Sequence, residues 1–515
     1  MKRYMTLAAL AFAVLAAAAV WLGGLNQDEG WYLYAAQLVG EGRKPYADFF
    51  YTQGPLMPVL YSLISFSWKS FGLLGARVAT CLAGLAGILC FASLARLLAP
   101  EGRRGTAFTA VFLLLGCNLY HVYYVSIPKT YAVAALFVAA GFLMVVRALL
   151  AGSPRARAVL LASGGFSLAL AAGTRISLGA LVAVVGFALL FAYRRYRWSF
   201  MWFGVGGAAG LAAVYGPFLF DEVSFRGLCA AQSYHAMRGG FSPVFVVGSL
   251  SRLVRWYLPL FIVLGLALFL FRPPRGDAPE TAVRRFAVRL VLSGFCAVFA
   301  VQMLAPFPYE DYQVPVMGLL AVAAVVSVLS FGRPGEAPVS ERAFLLLTLG
   351  LSFASSFGSP LLEKWTVNGQ DRLWPLKKDK CELAQLREAA RVIEALDPGG
   401  DTLLTQDLYL AIETGRRVPD GLEMGPFSVL SDKEWRELLS SAPCPVAALS
   451  GYTFAVNPPV CDERPFADQM AYWRILQGRY ERAAVVPDFG QNATTLVLLR
   501  RRAEAPAPLE EDSGK

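Results

Sequence analysis

Long runs of apolar residues recur along this chain, broken by short segments that hold most of its arginines. Residues 131–146 and 178–191 are two such runs. In hydrocarbon a spanning segment must satisfy its own backbone hydrogen bonds, so runs of this length read as membrane-crossing helices. Composition agrees, with 56% hydrophobic and 16% charged residues, whereas soluble domains carry roughly 25% charged. The net charge of +10 would suit nucleic acid if it were clustered on one face. Here Lys and Arg sit between apolar runs, where topology signals belong, and nucleic acid is discounted.

The runs predict about eleven transmembrane helices, near residues 5–24, 74–98, 106–120, 130–150, 158–173, 176–193, 199–220, 256–271, 286–305, 314–331 and 342–358. The start, Met-Lys-Arg followed by residues 7–22, imitates a signal peptide without a convincing small-residue cleavage site, and it reads as an uncleaved first span. With the N-terminus cytoplasmic, eighteen Lys and Arg fall in cytoplasmic segments against nine in external loops before the C-terminal part. That is the positive-inside bias. It requires that residues 55–71, apolar but short and bearing Pro55, Pro58, Trp68 and Lys69, lie at the interface instead of crossing.

The expected layout is a transmembrane domain over 1–359, with interfacial helices in a first external loop at 25–73. An α/β domain outside the cytoplasm follows at 360–500, then a disordered tail at 501–515. Short strands are expected at 402–405, 446–450 and 494–499, with helices near 382–396, 432–440 and 466–478. The chain is placed in the inner (plasma) membrane as a multi-pass protein, termini on opposite sides. Eight Cys show no metal spacing, and His121 and His235 stand far apart in ordinary polar surroundings, so no metal ligands are assigned. Cys444 and Cys461 would be able to pair in an oxidising compartment. No cofactor is identified, and a divalent metal stays open.

The segment after the first span is the most informative: Asn26-Gln-Asp-Glu-Gly-Trp-Tyr-Leu-Tyr, later Pro45-Tyr-Ala-Asp-Phe-Phe-Tyr and Gln53-Gly-Pro-Leu. Asp28 and Glu29 are adjacent carboxylates where the first helix ends, and Trp31, Leu33, Tyr34, Ala35 and Leu38 recur at spacings of an amphipathic interfacial helix. The plain reading is two acids placed against a helix dipole with an aromatic belt behind them. The chemical reading is a site at the membrane surface.

This pattern resembles the GT-C superfamily of membrane glycosyltransferases, more narrowly its protein-mannosyltransferase and aminoarabinose-transferase branch. The resemblance continues at Gly75-Ala-Arg77, Ala95-Arg96, Gly173-Thr-Arg175 and Tyr309-Glu-Asp-Tyr-Gln-Val-Pro315, over roughly the first 360 residues. Two positions depart from it: the family often has Lys where Arg175 stands, and Arg where Asp311 precedes Tyr312.

The resemblance implies transfer of a hexosyl or pentosyl group from a polyprenyl-phosphate-linked donor to a lipid, glycan or protein acceptor at the external face. By that match Asp28 is the general base, and Glu29 positions the acceptor or holds Asp28. One carboxylate and no second nucleophile imply inversion. Arg175 is the first cation for the departing phosphate, because it interrupts an apolar stretch at the membrane boundary; snorkelling to the interface is its plain alternative. Lys129, Arg252 and Arg255 are further phosphate-binding candidates, and Tyr32 and Tyr312 substrate-binding ones. A transporter or flippase of lipid-linked sugars is the alternative function. It calls for charges or helix breaks near the bilayer midplane and often a repeated half. In this chain the charges crowd the external boundary, and no repeat is evident.

Overall fold

A computed structural model describes residues 2–192, 198–237, 240–269, 279–330, 340–359, 361, 381–428, 430–451, 468–491 and 494–503. The chain divides into two compact units that do not follow chain order. One comprises Met1–Gly23, Thr52–Met57 and Arg77–Lys378; the other comprises Gly24–Tyr51, Pro58–Ala76 and Asp379–Lys515. The segment after the first span therefore groups largely with the C-terminal residues.

The first unit is helical. Among the described residues seven helices of the chain are long and apolar enough to cross a membrane. The count reaches eight if Pro243–Trp256 and Leu258–Phe269, which meet at 90°, form one broken span. Three other expected spans are short helices: Arg104–Gly116, Ile176–Phe191 and Glu341–Phe357. Near 106–120 the apolar run is cut where Asn118 caps a new helix, its side chain accepting from the His121 N–H. Of the about eleven spans expected, seven or eight are long apolar helices among the described residues, with shorter helices at the other expected positions. Helix Val314–Ser330 lies almost wholly inside the unit. Apolarity on all sides is what a helix surrounded by other helices requires.

Helices Thr130–Leu150, Pro154–Thr174 and Ser199–Leu219 pack closely through small residues. Among apolar helices in lipid, close backbone approach replaces the hydrophobic effect as the source of cohesion. At Gly165 a Cβ would fall 2.2 Å from the carbonyl oxygen of Phe203, so only glycine fits. Gly165→Leu is expected to lower the melting temperature of the detergent-solubilised chain by more than ordinary overpacking, which costs about 1–3 kcal/mol. Gly204→Leu, where a Cβ meets open space, is the matched control. Equal melting temperatures for the two variants would contradict this packing.

The second unit is α/β. Strands β1 (Val446–Ser450), β2 (Tyr480–Phe489) and β3 (Thr494–Arg501) form an antiparallel sheet in the order β1-β3-β2. Helices Glu382–Leu396, Asp432–Ser441 and Asp468–Arg479 fall where expected. Residues 402–405 make isolated bridges instead of a strand, Leu404 to Ala447 and Thr402 to Arg417. Strand β2 was not expected, because its side chains are largely exposed and give no apolar alternation. The expected tail over 504–515, and Cys461 with its pairing to Cys444, lie outside the described residues; Cys444 is a buried free thiol.

Helix Gln27–Gly40 differs from the amphipathic interfacial helix that its spacing predicts. Residues Glu29–Ala36 are all buried, and helix Leu408–Thr414 packs on it, with the Tyr34 hydroxyl accepting from the Val418 N–H at 2.9 Å. Burial pushes the Tyr34 hydroxyl up to about 12, so it stays a neutral partner. Between residues 56 and 98 the chain forms Leu56–Leu63 and then Phe66–Leu98, broken at Gly72, whose φ of 61° glycine adopts without strain. The break separates the short segment expected at the interface from the span that follows. Leu63, Phe66 and Phe71 are exposed on that short segment, as an interfacial helix would have them.

Candidate functional site

Within the second unit, Asn26 caps helix Gln27–Gly40 and Glu29 closes the capping box. The Asn26 side chain accepts from the Asp28 N–H at 3.0 Å, and Glu29 Oε1 accepts from the Asn26 N–H at 2.9 Å. Glu29 is fully buried, so its carboxylate helps fix the turn that carries Asp28. Asp28 is half-buried and accepts at Oδ1 from the indole N–H of Trp31, 3.1 Å away. Trp31 is itself fixed by stacking on Tyr32 at 3.7 Å between ring centroids and by edge contacts with Tyr51 and Phe427. Tyr32 is buried in this aromatic group. Two acids adjacent in sequence therefore have different surroundings: Glu29 is structural, and Asp28 is oriented yet accessible.

Within the first unit a second cluster forms around residues from three segments. The Lys129 ammonium donates to Asp311 Oδ2 at 3.0 Å, and the Tyr131 hydroxyl donates to the same oxygen at 2.8 Å. Arg175 caps the C-terminus of helix Pro154–Thr174 and donates to the Thr130 hydroxyl at 3.1 Å. Its guanidinium lies over the rings of Tyr131 and Tyr312, 5.0 and 4.7 Å from their centroids. Lys129, Arg175 and Asp311 are at most 9% exposed. Arg175 is thus held inside, against the snorkelling alternative, which places the guanidinium outward. Desolvating such charges costs several kcal/mol per ion, and a buried ion pair seldom repays that in stability. A group retained at this cost points to function.

Beside Arg175 lies a cavity of about 390 Å³ reached by Gln53, Ser177, Gln302 and Tyr312. Two of the sequence motifs close on each other here. A Cβ at Gly54 would fall 2.2 Å from the carbonyl oxygen of Gly173, so glycine lets Gln53-Gly-Pro approach Gly173-Thr-Arg175. Arg77, also fully buried, donates to the Gly23 carbonyl at 2.8 Å and serves the end of the first helix.

The remaining candidates are placed differently. Arg252 pairs with Glu310 at 3.0 Å, and Arg255 is exposed with its guanidinium over the Trp256 ring. His121 is buried and pairs with the Tyr257 hydroxyl at 2.9 Å, an ordinary polar contact; the His235 side chain lies outside the described residues. Among the described residues no three His, Cys, Asp or Glu side chains converge as a metal-binding group. Sequence reasoning missed Asp311 as the partner of Lys129, treating it only as a departure at that position. It also missed Gln302, which shares no motif with the rest. The one available signal for each was a polar residue bordering an apolar run.

No family model and no curated protein matches this chain. Solved structures do. The chain is similar to ArnT from Cupriavidus metallidurans bound to undecaprenyl phosphate, at 15% identity, covering 99% of this chain and 100% of that one with a TM-score of 0.63. The apo state of the same protein gives 16% identity and a TM-score of 0.60, over 99% of each chain. The Archaeoglobus fulgidus oligosaccharyltransferase in its apo form gives 12% identity and a TM-score of 0.54, over 98% of this chain and 75% of that one. The apolar helices and this likeness mark a multi-pass membrane protein with the fold that the ArnT and oligosaccharyltransferase structures share.

Proposed function

We propose that this chain transfers a sugar from a polyprenyl-phosphate-linked donor to a lipid, glycan or protein acceptor at the external face of the inner (plasma) membrane. The N-terminus is then cytoplasmic and the C-terminal α/β unit external. The observation that carries the proposal is the buried Lys129–Arg175 cluster with Tyr131 and Tyr312, in a chain with the fold of a protein solved with undecaprenyl phosphate. Cations set in low dielectric among aromatic rings suit a phosphate whose charge grows as it leaves.

In the proposed step the acceptor hydroxyl attacks the anomeric carbon while the bond from that carbon to the phosphate oxygen breaks. The hydroxyl proton passes to the Asp28 carboxylate, and Arg175 and Lys129 take up the charge on the departing polyprenyl phosphate. A single displacement inverts the donor linkage. Trp31 orients the Asp28 carboxylate through Oδ1. Glu29 acts through the turn it caps. Lys129 is ion-paired with Asp311 and Arg252 with Glu310, so both contribute less than Arg175.

Mass spectrometry of membrane glycolipids and surface glycans from cells lacking the chain tests this reading. One sugar is expected to disappear from a glycan or lipid while its polyprenyl-phosphate donor accumulates. Unchanged glycans and an unchanged donor pool would contradict it.

A further inference from the structure

The cavity beside Arg175 has walls of two kinds. Part of its lining is apolar, and the rest is Gln53, Arg175, Ser177, Gln232, Gln302 and Tyr312. Gln302 lies at the end of an apolar helix, is 3% exposed, and donates from Nε2 to the Ser177 hydroxyl at 3.3 Å. Its Oε1 is buried, and no described residue donates to it. A buried amide oxygen without a donor costs free energy comparable to a lost hydrogen bond, so such groups in native proteins are usually served. Gln302 lines a cavity of ligand size, since small-molecule pockets run from about 300 Å³ upward.

The chemistry of the wall says which ligand suits it. Amides and hydroxyls match the hydroxyls of a sugar, giving and accepting hydrogen bonds without net charge. Among the described residues that line the cavity none is acidic, and Arg175 is a cation. An ammonium group on the sugar would find no carboxylate here, and a buried charge without a partner is costly. We infer that this cavity receives the sugar ring of the donor, that the ring is uncharged, and that Gln302 Oε1 accepts from one of its hydroxyls. This inference rests on the glycosyl-transfer reading and assigns the specificity of that site.

The test uses the full chain, purified and reconstituted, with three kinds of synthetic undecaprenyl-phosphate-linked donor. One carries a neutral pyranose, the second a set of its monodeoxy analogues, and the third the same pyranose with one hydroxyl replaced by an amine. Binding is measured by competition and transfer by kcat/KM. The wild-type chain is expected to prefer the neutral sugar over the amine. Gln302→Leu is expected to lose on the order of tenfold to a hundredfold with the neutral sugar, the range for leaving a buried polar partner unmet. For one deoxy analogue it should equal wild type. Gln302→Glu, which supplies the missing carboxylate, is expected to raise use of the amino donor.

Preference of the wild-type chain for the amino donor would overturn the inference. So would a folded Gln302→Leu chain that handles every donor as wild type does. Donor binding with this Gln302 dependence, but without sugar transfer, would overturn the transferase reading and leave the cavity's assignment standing. Sugar transfer unaffected at Gln302 would do the reverse.

Discussion

Asp28→Asn is expected to insert and fold as the wild-type chain does, yet to transfer sugar about 10²–10⁴-fold more slowly, the usual worth of a general base. The substitution keeps shape, and its side-chain oxygen still accepts from the Trp31 indole. The helix cap is untouched, because Asn26 and Glu29 make it. Only the charge and the capacity to take a proton are removed. Had Asp28 been the capping residue, Asn would replace it with little loss, since the two cap about equally well. Glu29→Gln is a contrasting case: its amide oxygen is able to keep the bond to the Asn26 N–H. Impairment there is expected to be smaller and to fall on turnover, through the placement of Asp28. Near-normal transfer by a well-expressed Asp28→Asn chain would remove Asp28 from the chemistry.

Arg175→Gln carries the second large effect. The guanidinium lies between Tyr131 and Tyr312 and donates to Thr130, an arrangement that fixes its position before any phosphate arrives. Removing a preorganised donor to developing negative charge costs about 10²–10³ in kcat. Gln retains polarity and part of the length, so stability is expected to change far less than turnover. Lys restores charge without the planar fork and is expected to recover part of the activity. Purified variants assayed at saturating donor separate the outcomes: a glutamine variant with wild-type kcat would make Arg175 a structural cap of its helix.

Much of the site was legible because its residues violate the local pattern. Asp28 and Glu29 follow an apolar run, and Arg175 interrupts one. Polar groups in such places need a reason. What the sequence could not show is which partner each charge takes. Asp311 reads as an interruption of an expected motif, yet it is the carboxylate that holds Lys129 and Tyr131. That pairing spans 182 residues, beyond any local periodicity. Glu29 and Asp28 look equivalent in one dimension; the capping box separates them because one oxygen turns back to Asn26.

The fold was legible to a similar depth. Long apolar helices follow from span length and hydropathy, whereas interruptions depend on tertiary packing. The 90° turn between Trp256 and Leu258 falls at the start of the span expected near 256–271, and helix Pro243–Trp256 before it was not expected as part of a span. Likewise helix Gln27–Gly40 has the spacing of a surface helix, but helix Leu408–Thr414 covers it. That contact joins residues nearly four hundred positions apart, and no pattern in either segment announces it. Strand β2 was missed for the opposite reason, its exposed side chains giving no apolar alternation.

The central claim is chemical: a bond between sugar and phosphate is broken, with Asp28 taking the proton. The most direct measurement reconstitutes the full chain in vesicles with a doubly labelled undecaprenyl-phosphate-linked sugar, labelled in sugar and lipid, together with membrane extract as acceptor. Wild-type chain is expected to release free undecaprenyl phosphate in step with labelled acceptor, with inverted linkage, and Asp28→Asn to release almost none. Intact donor appearing in the opposite leaflet, with no free undecaprenyl phosphate and no difference between wild type and Asp28→Asn, would contradict glycosyl transfer and identify a transporter of lipid-linked sugars instead.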